Sequence, residues 1–72
     1  MNKLIKQVAA TLSSKYHLKY PYVQYLVNLG MKQLGMTETE TYKFWDDHKY
    51  FRNKDRIILD KLRKKIDERN KI

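Results

Sequence analysis

The sequence predicts a small all-α domain of four helices with a helix-turn-helix in its middle, over residues of about 2–16, 21–34, 38–48 and 53–68. Apolar residues recur at three- and four-residue spacing in separate stretches, as helices with one buried face require. The stretch Leu34-Gly35-Met36-Thr37 has the residues of a tight turn between two helices. The chain of 72 residues has no repeat, no low-complexity run and no linker long enough to divide it, so residues 1–72 are expected to form a single domain.

In the first helix Asn2 is the expected cap, and Leu4, Ile5, Val8, Ala9 and Leu12 form its apolar stripe. Pro21 suits the first turn of the second helix and holds Tyr20 extended, while Val23, Leu26, Val27, Met31 and Leu34 give a buried face. Tyr16, Tyr20, Tyr22 and Tyr25, interleaved with Lys15 and Lys19, are better explained by rings packed with wet hydroxyls than by a stacking platform for single strands. Gly35 supplies a left-handed helix end, and Met36 an apolar residue to bury in the turn.

Thr37 and Glu40 have the spacing of a capping box that opens the third helix, on which Thr41, Phe44 and Trp45 share a face. Tyr50 and Phe51 in the next connector are expected to fold back onto the core. Asn53 is the expected cap of the last helix, with Asp55 in its first turn. Ile58, Leu59, Leu62 and Ile66 form its seam, and Asp60 and Lys64 have the spacing of an ion pair. Residues 67–72 are polar on all sides and are expected to fray.

The formal net charge of +8 points to an anionic partner, and its distribution says more. Residues 1–36 carry a balance of +5, residues 37–47 of −3 and residues 48–72 of +6. The negative block falls on the helix that a DNA-reading helix-turn-helix would insert into the major groove. Lys61, Arg63, Lys64, Lys65 and Arg69 read as a solvated basic face.

Catalytic material is lacking: there is no phosphate-binding glycine loop, no nucleophile motif and no carboxylate pair in an apolar setting. The expectation is a non-enzyme without cofactor. Asp46, Asp47 and His48 are adjacent on a helix and do not converge on one centre, and His17 is equally isolated, so no metal is expected. No stretch suits a signal peptide or membrane span, and the chain is expected in the cytoplasm with neither a membrane nor a small molecule as partner.

From about Gly30 to Leu62, the Leu34-Gly35-Met36-Thr37 turn, Trp45 on the following helix and the final Leu-containing helix resemble the Cro and cI repressor family of phage helix-turn-helix proteins. The departures are specific. Met31 stands where that family usually has Ala at the helix crossing, Thr41 where it prefers Val or Ile, and the two helices open Pro21-Tyr22 and Thr37-Glu38-Thr39-Glu40 where glutamines are common. Carboxylates accept only from cytosine N4 and are repelled by phosphate. The length, basic flanks and acidic third helix also look like the modulator-of-repression proteins of temperate phages of Gram-positive bacteria. That resemblance implies an antirepressor, which binds the phage repressor in the lysis–lysogeny switch in a bacterial host.

Two functions follow as expectations. In the first, Thr37, Glu38, Thr39, Glu40, Tyr42, Lys43, Asp46 and Asp47 face the DNA-binding domain of a repressor protein, the acids standing in for phosphates. Asp46 and Asp47 carry more weight than Glu38 and Glu40, because the helix dipole disfavours acids at a C-terminal end; pairing with Lys49 or Arg52 is their structural explanation. In the second, the chain is a Cro-like factor whose third helix touches bases while Arg52, Lys54 and Arg56 contact phosphate, or a corepressor that reaches DNA through the repressor.

Overall fold

The computed structural model describes residues 3–71. Among them are four helices and no strand: α1 (Lys3–Tyr16), α2 (Tyr20–Asn28), α3 (Glu38–Asp46) and α4 (Lys54–Asn70), with a π-helical turn at Leu29–Gln33 continuing α2. The Asn2 cap expected for the first helix lies outside the described residues, as does Ile72.

α1 ends through His17, which takes the left-handed conformation at φ 56°. The Leu18 N–H then reaches back to the Ser13 carbonyl at 3.0 Å. This six-residue closure satisfies a terminal carbonyl, and histidine is among the non-glycine residues that tolerate such a φ. Three residues later α2 begins at Tyr20, one residue before the expected start, with Pro21 in its first turn. The short connector packs α2 along α1, and α4 lies across α2 and the π-helical turn.

The core is Ile5, Val8, Ala9, Leu12, Val23, Leu26, Val27, Trp45, Ile58 and Leu62, all buried. These are the inward positions of the predicted stripes, except that Leu4 is 36% exposed and Met31 and Leu34 are only partly buried. Tyr16, Tyr20 and Tyr22 pack against the core, while Tyr25 stays exposed.

The end of α2 differs from the expected regular helix. From Leu29 the chain widens to five-residue closure, with Leu34 N–H on the Leu29 carbonyl at 3.1 Å. One step further, Met36 N–H bonds the Gly30 carbonyl at 3.0 Å, and Gly35 between them has φ 68°. Gly30, rather than Met31, occupies the close crossing: a Cβ there would lie 3.2 Å from Met36 Sδ and 3.7 Å from Leu62 Cδ2. Widening the turn rotates Gly30 toward α4 and lets Met36 fill the corner.

Three further expectations are corrected. Asn53 makes no side-chain capping bond; Asp55 instead accepts from the Arg56 N–H at 2.9 Å. Asp60 and Lys64 do not form an ion pair; among the described residues Lys15–Asp46 is the pair within 4 Å. And α4 continues to Asn70, where a fraying tail was expected from residue 67, with the Arg69 guanidinium donating to the Gln33 carbonyl at the mouth of the π-helical turn.

Candidate functional site

Everything that sets α3 in place is local or one contact away. Thr37 Oγ1 accepts from Glu40 N–H at 3.1 Å while Glu40 Oε1 accepts from Thr37 N–H at 2.8 Å, so the capping box is complete. The backbone donor holds the Glu40 carboxyl below the usual carboxylate range. Thr41, buried at the crossing, donates its hydroxyl to the Thr37 carbonyl at 2.8 Å, which satisfies a polar group that would otherwise be costly there. Trp45 is 1% exposed and its ring stacks on Tyr16 with centroids 6.1 Å apart.

The C-terminal end of α3 is tied to α1, and this connection was not legible in the sequence. Asp46 accepts from Lys15 Nζ at 2.9 Å and from the Tyr16 hydroxyl. The Tyr16 hydrogen bond, and after it that of Lys15, lowers the Asp46 carboxyl below its ordinary range. Burial and then Asp46 raise the Tyr16 phenol, and the hydrogen bond to Asp46 raises the Lys15 ammonium. Asp46 thus has a structural partner, but on α1 rather than at Lys49 or Arg52.

α3 ends at Asp46, two residues before the expected His48, and the chain then turns. His48 is neither isolated nor on the surface. It is 5% exposed, its Nδ1 lies 2.6 Å from the Phe44 carbonyl, and its ring packs between Phe44 at 4.8 Å and Phe51 at 5.7 Å. Phe51 therefore rests on His48 rather than in the core and remains 47% exposed, while Tyr50 is 91% exposed.

Among the predicted partner-facing residues, Thr37, Glu38, Thr39, Glu40, Lys43 and Asp47 are exposed, Tyr42 is half-buried, and Asp46 is turned to α1. Of the predicted phosphate-contacting residues, Arg52 and Arg56 are exposed. Lys54 is half-buried, its Nζ 5.8 Å from the Tyr16 ring centroid. Arg56 also borders an open groove of about 530 Å³ with Tyr22, Asp55, Asp60 and Arg63, where charges of both signs alternate.

No family model, curated protein or solved structure matches this chain. Function must be argued from the site itself. Among the described residues no group of three or more His, Cys, Asp or Glu side chains could hold a metal ion, and no helix is long and apolar enough to cross a membrane. What the site offers is an outward helix face with Glu38, Glu40 and Asp47 against one cation, Lys43, and beside it two exposed aromatic rings. The sequence reasoning missed those rings as site residues. Their signal was a Tyr-Phe pair between Lys49 and Arg52, in a connector with no helical stripe to bury it.

Proposed function

We propose that this chain is an antirepressor or modulator of repression, which binds the DNA-binding domain of its cognate phage repressor in the lysis–lysogeny switch. The observation that carries this is the outward face of α3, where three exposed carboxylates accompany one exposed lysine. A helix presented this way in a major groove would bring Glu38, Glu40 and Asp47 toward phosphates. Against the basic, amide-rich surface that a repressor offers to DNA, the same side chains are complementary and speed the encounter. Asp46 adds nothing to this, since its charge is met by Lys15.

A second function, as a Cro-like DNA-binding factor or a corepressor on DNA, is favoured by the net charge of +8 and by exposed Arg52 and Arg56 at the start of α4. The deciding experiment is charge reversal at Glu38→Lys and Asp47→Lys, which leaves Asp46 and the capping box in place. Binding to the purified repressor domain and to duplex DNA is measured at near-physiological salt. The antirepressor reading expects loss of repressor binding; tighter, sequence-selective DNA binding with repressor binding intact would replace it with the DNA-binding one.

A further inference from the structure

The connector between α3 and α4 carries a feature that the fold does not use. Tyr50 and Phe51 stand largely in water, although the chain has only nine aromatic side chains of the Phe, Trp and Tyr kinds with which to build its packing (Trp 1, Tyr 6, Phe 2). Phe51 is steadied from one side by His48. Lys49 covers Tyr50 with its Nζ 5.1 Å from the ring centroid. Lys49, Arg52 and Lys54 surround the pair, and no acid lies between Lys49 and Lys54.

At the opposite end of α3 stand Glu38 and Glu40. A helix rises about 1.5 Å per residue, so the acidic and the basic-aromatic ends are separated by about 12 Å along its axis. The surface therefore has two poles. A uniform polyanion, whether nucleic acid or an anionic bilayer, is attracted to one pole and repelled by the other. A second copy of the chain is opposed by the +8 charge that each copy carries. A protein surface can carry both signs at a fixed separation. Exposed tyrosine beside arginine is also the composition that dominates binding energy at protein interfaces.

We infer that Tyr50 and Phe51 are the anchor with which the chain grips its protein partner. They enter an apolar pocket rimmed by acidic side chains, about 12 Å from the basic patch that Glu38 and Glu40 meet. This rests on the proposed antirepressor function and adds to it the element that supplies affinity, with the carboxylates supplying orientation and encounter rate.

The test is calorimetric titration of the cognate repressor's purified DNA-binding domain with the wild-type chain, Tyr50→Ala, Phe51→Ala and the double variant Lys49→Glu/Arg52→Glu. Helical circular dichroism accompanies each. Tyr50 has almost no packing to lose, so Tyr50→Ala decides the matter even if Phe51→Ala loosens the fold. The expected result is binding weakened about 30-fold or more by Tyr50→Ala, and weakened by the charge-reversed pair as well. If the wild type binds and Tyr50→Ala binds within about 3-fold of it, the anchor is wrong and the antirepressor reading survives. If the wild type does not bind, both fall. A single-stranded oligonucleotide and phosphatidylglycerol vesicles are titrated in parallel; tighter binding to either, abolished by Tyr50→Ala, would overturn the inference in favour of that ligand.

Discussion

Gly35→Ala isolates the turn that hands α2 over to α3. Gly35 sits at φ 68°, and a Cβ built there meets nothing within 4 Å, so any loss is conformational rather than steric. Placing an L-residue in the left-handed region costs roughly 1–2 kcal/mol. In urea, with a slope of about 1 kcal/mol/M for a chain this small, the midpoint should fall by about 1–2 M. The melting temperature should fall by about 4–8 °C per kcal/mol. Gly35→Asn should recover a good part of the loss, because asparagine visits this region routinely. Gly30→Ala is the counterpart that tests space. Its Cβ would press on Met36 Sδ at 3.2 Å, the end of an adaptable side chain, while removing a glycine from a helix gains up to about 1 kcal/mol. Gly30→Ala is therefore expected to be the milder of the two. The reasoning is refuted if Gly35→Ala unfolds with the wild-type midpoint, or if Gly35→Asn is as damaging as Gly35→Ala.

Two other outcomes follow from the packing and the charges. Trp45→Ala empties the largest buried side chain and should lose about 3–5 kcal/mol, comparable to what a core this small supplies in total; the far-ultraviolet dichroism at 25 °C should show a largely unfolded chain. Asp46 and Glu40 titrate below their ordinary range in the fold, so their stabilisation is complete above about pH 5 and is lost as pH falls through the lowered values. Tyr16 and Lys15 are raised, so theirs is present below about pH 10 and is lost as pH rises through the raised values. Melting temperature against pH should show both limbs, and Asp46→Asn should flatten each; an unchanged profile in that variant would refute the contribution of the Asp46 cluster.

The parts of the fold that the sequence made legible are those decided within a few residues. Thr37 with Glu40, Gly35, Pro21 and the Thr41/Trp45 face are set by backbone geometry and helical period, and the structure has them where expected. What escaped depends on residues distant in the chain. Nothing near Asp46 names Lys15 and Tyr16 as its partners, about thirty residues earlier. Only the three-dimensional course of the connector leaves Tyr50 in water and puts His48 under Phe51. The Asn53 cap failed for a related reason: its residue type suited the role, but its φ of −107° and ψ of 54° do not aim the side chain at the helix end. The outward residues of α3 were legible as a set, since they are the complement of the buried face; only Asp46 changed its role.

The widened turn at Leu29–Gln33 gives this chain an unusual sensitivity to length. It holds one residue more than a regular α-helical path would need, and Lys32 and Gln33 within it are exposed. Deleting either would let the ladder close at the regular spacing and re-phase all that follows by about 100°. The direction in which α3 points is thus set partly by how many residues precede it. A lineage that gained or lost a codon here would swing an unaltered surface toward a different neighbour, a route to new partners that leaves every contact side chain as it was.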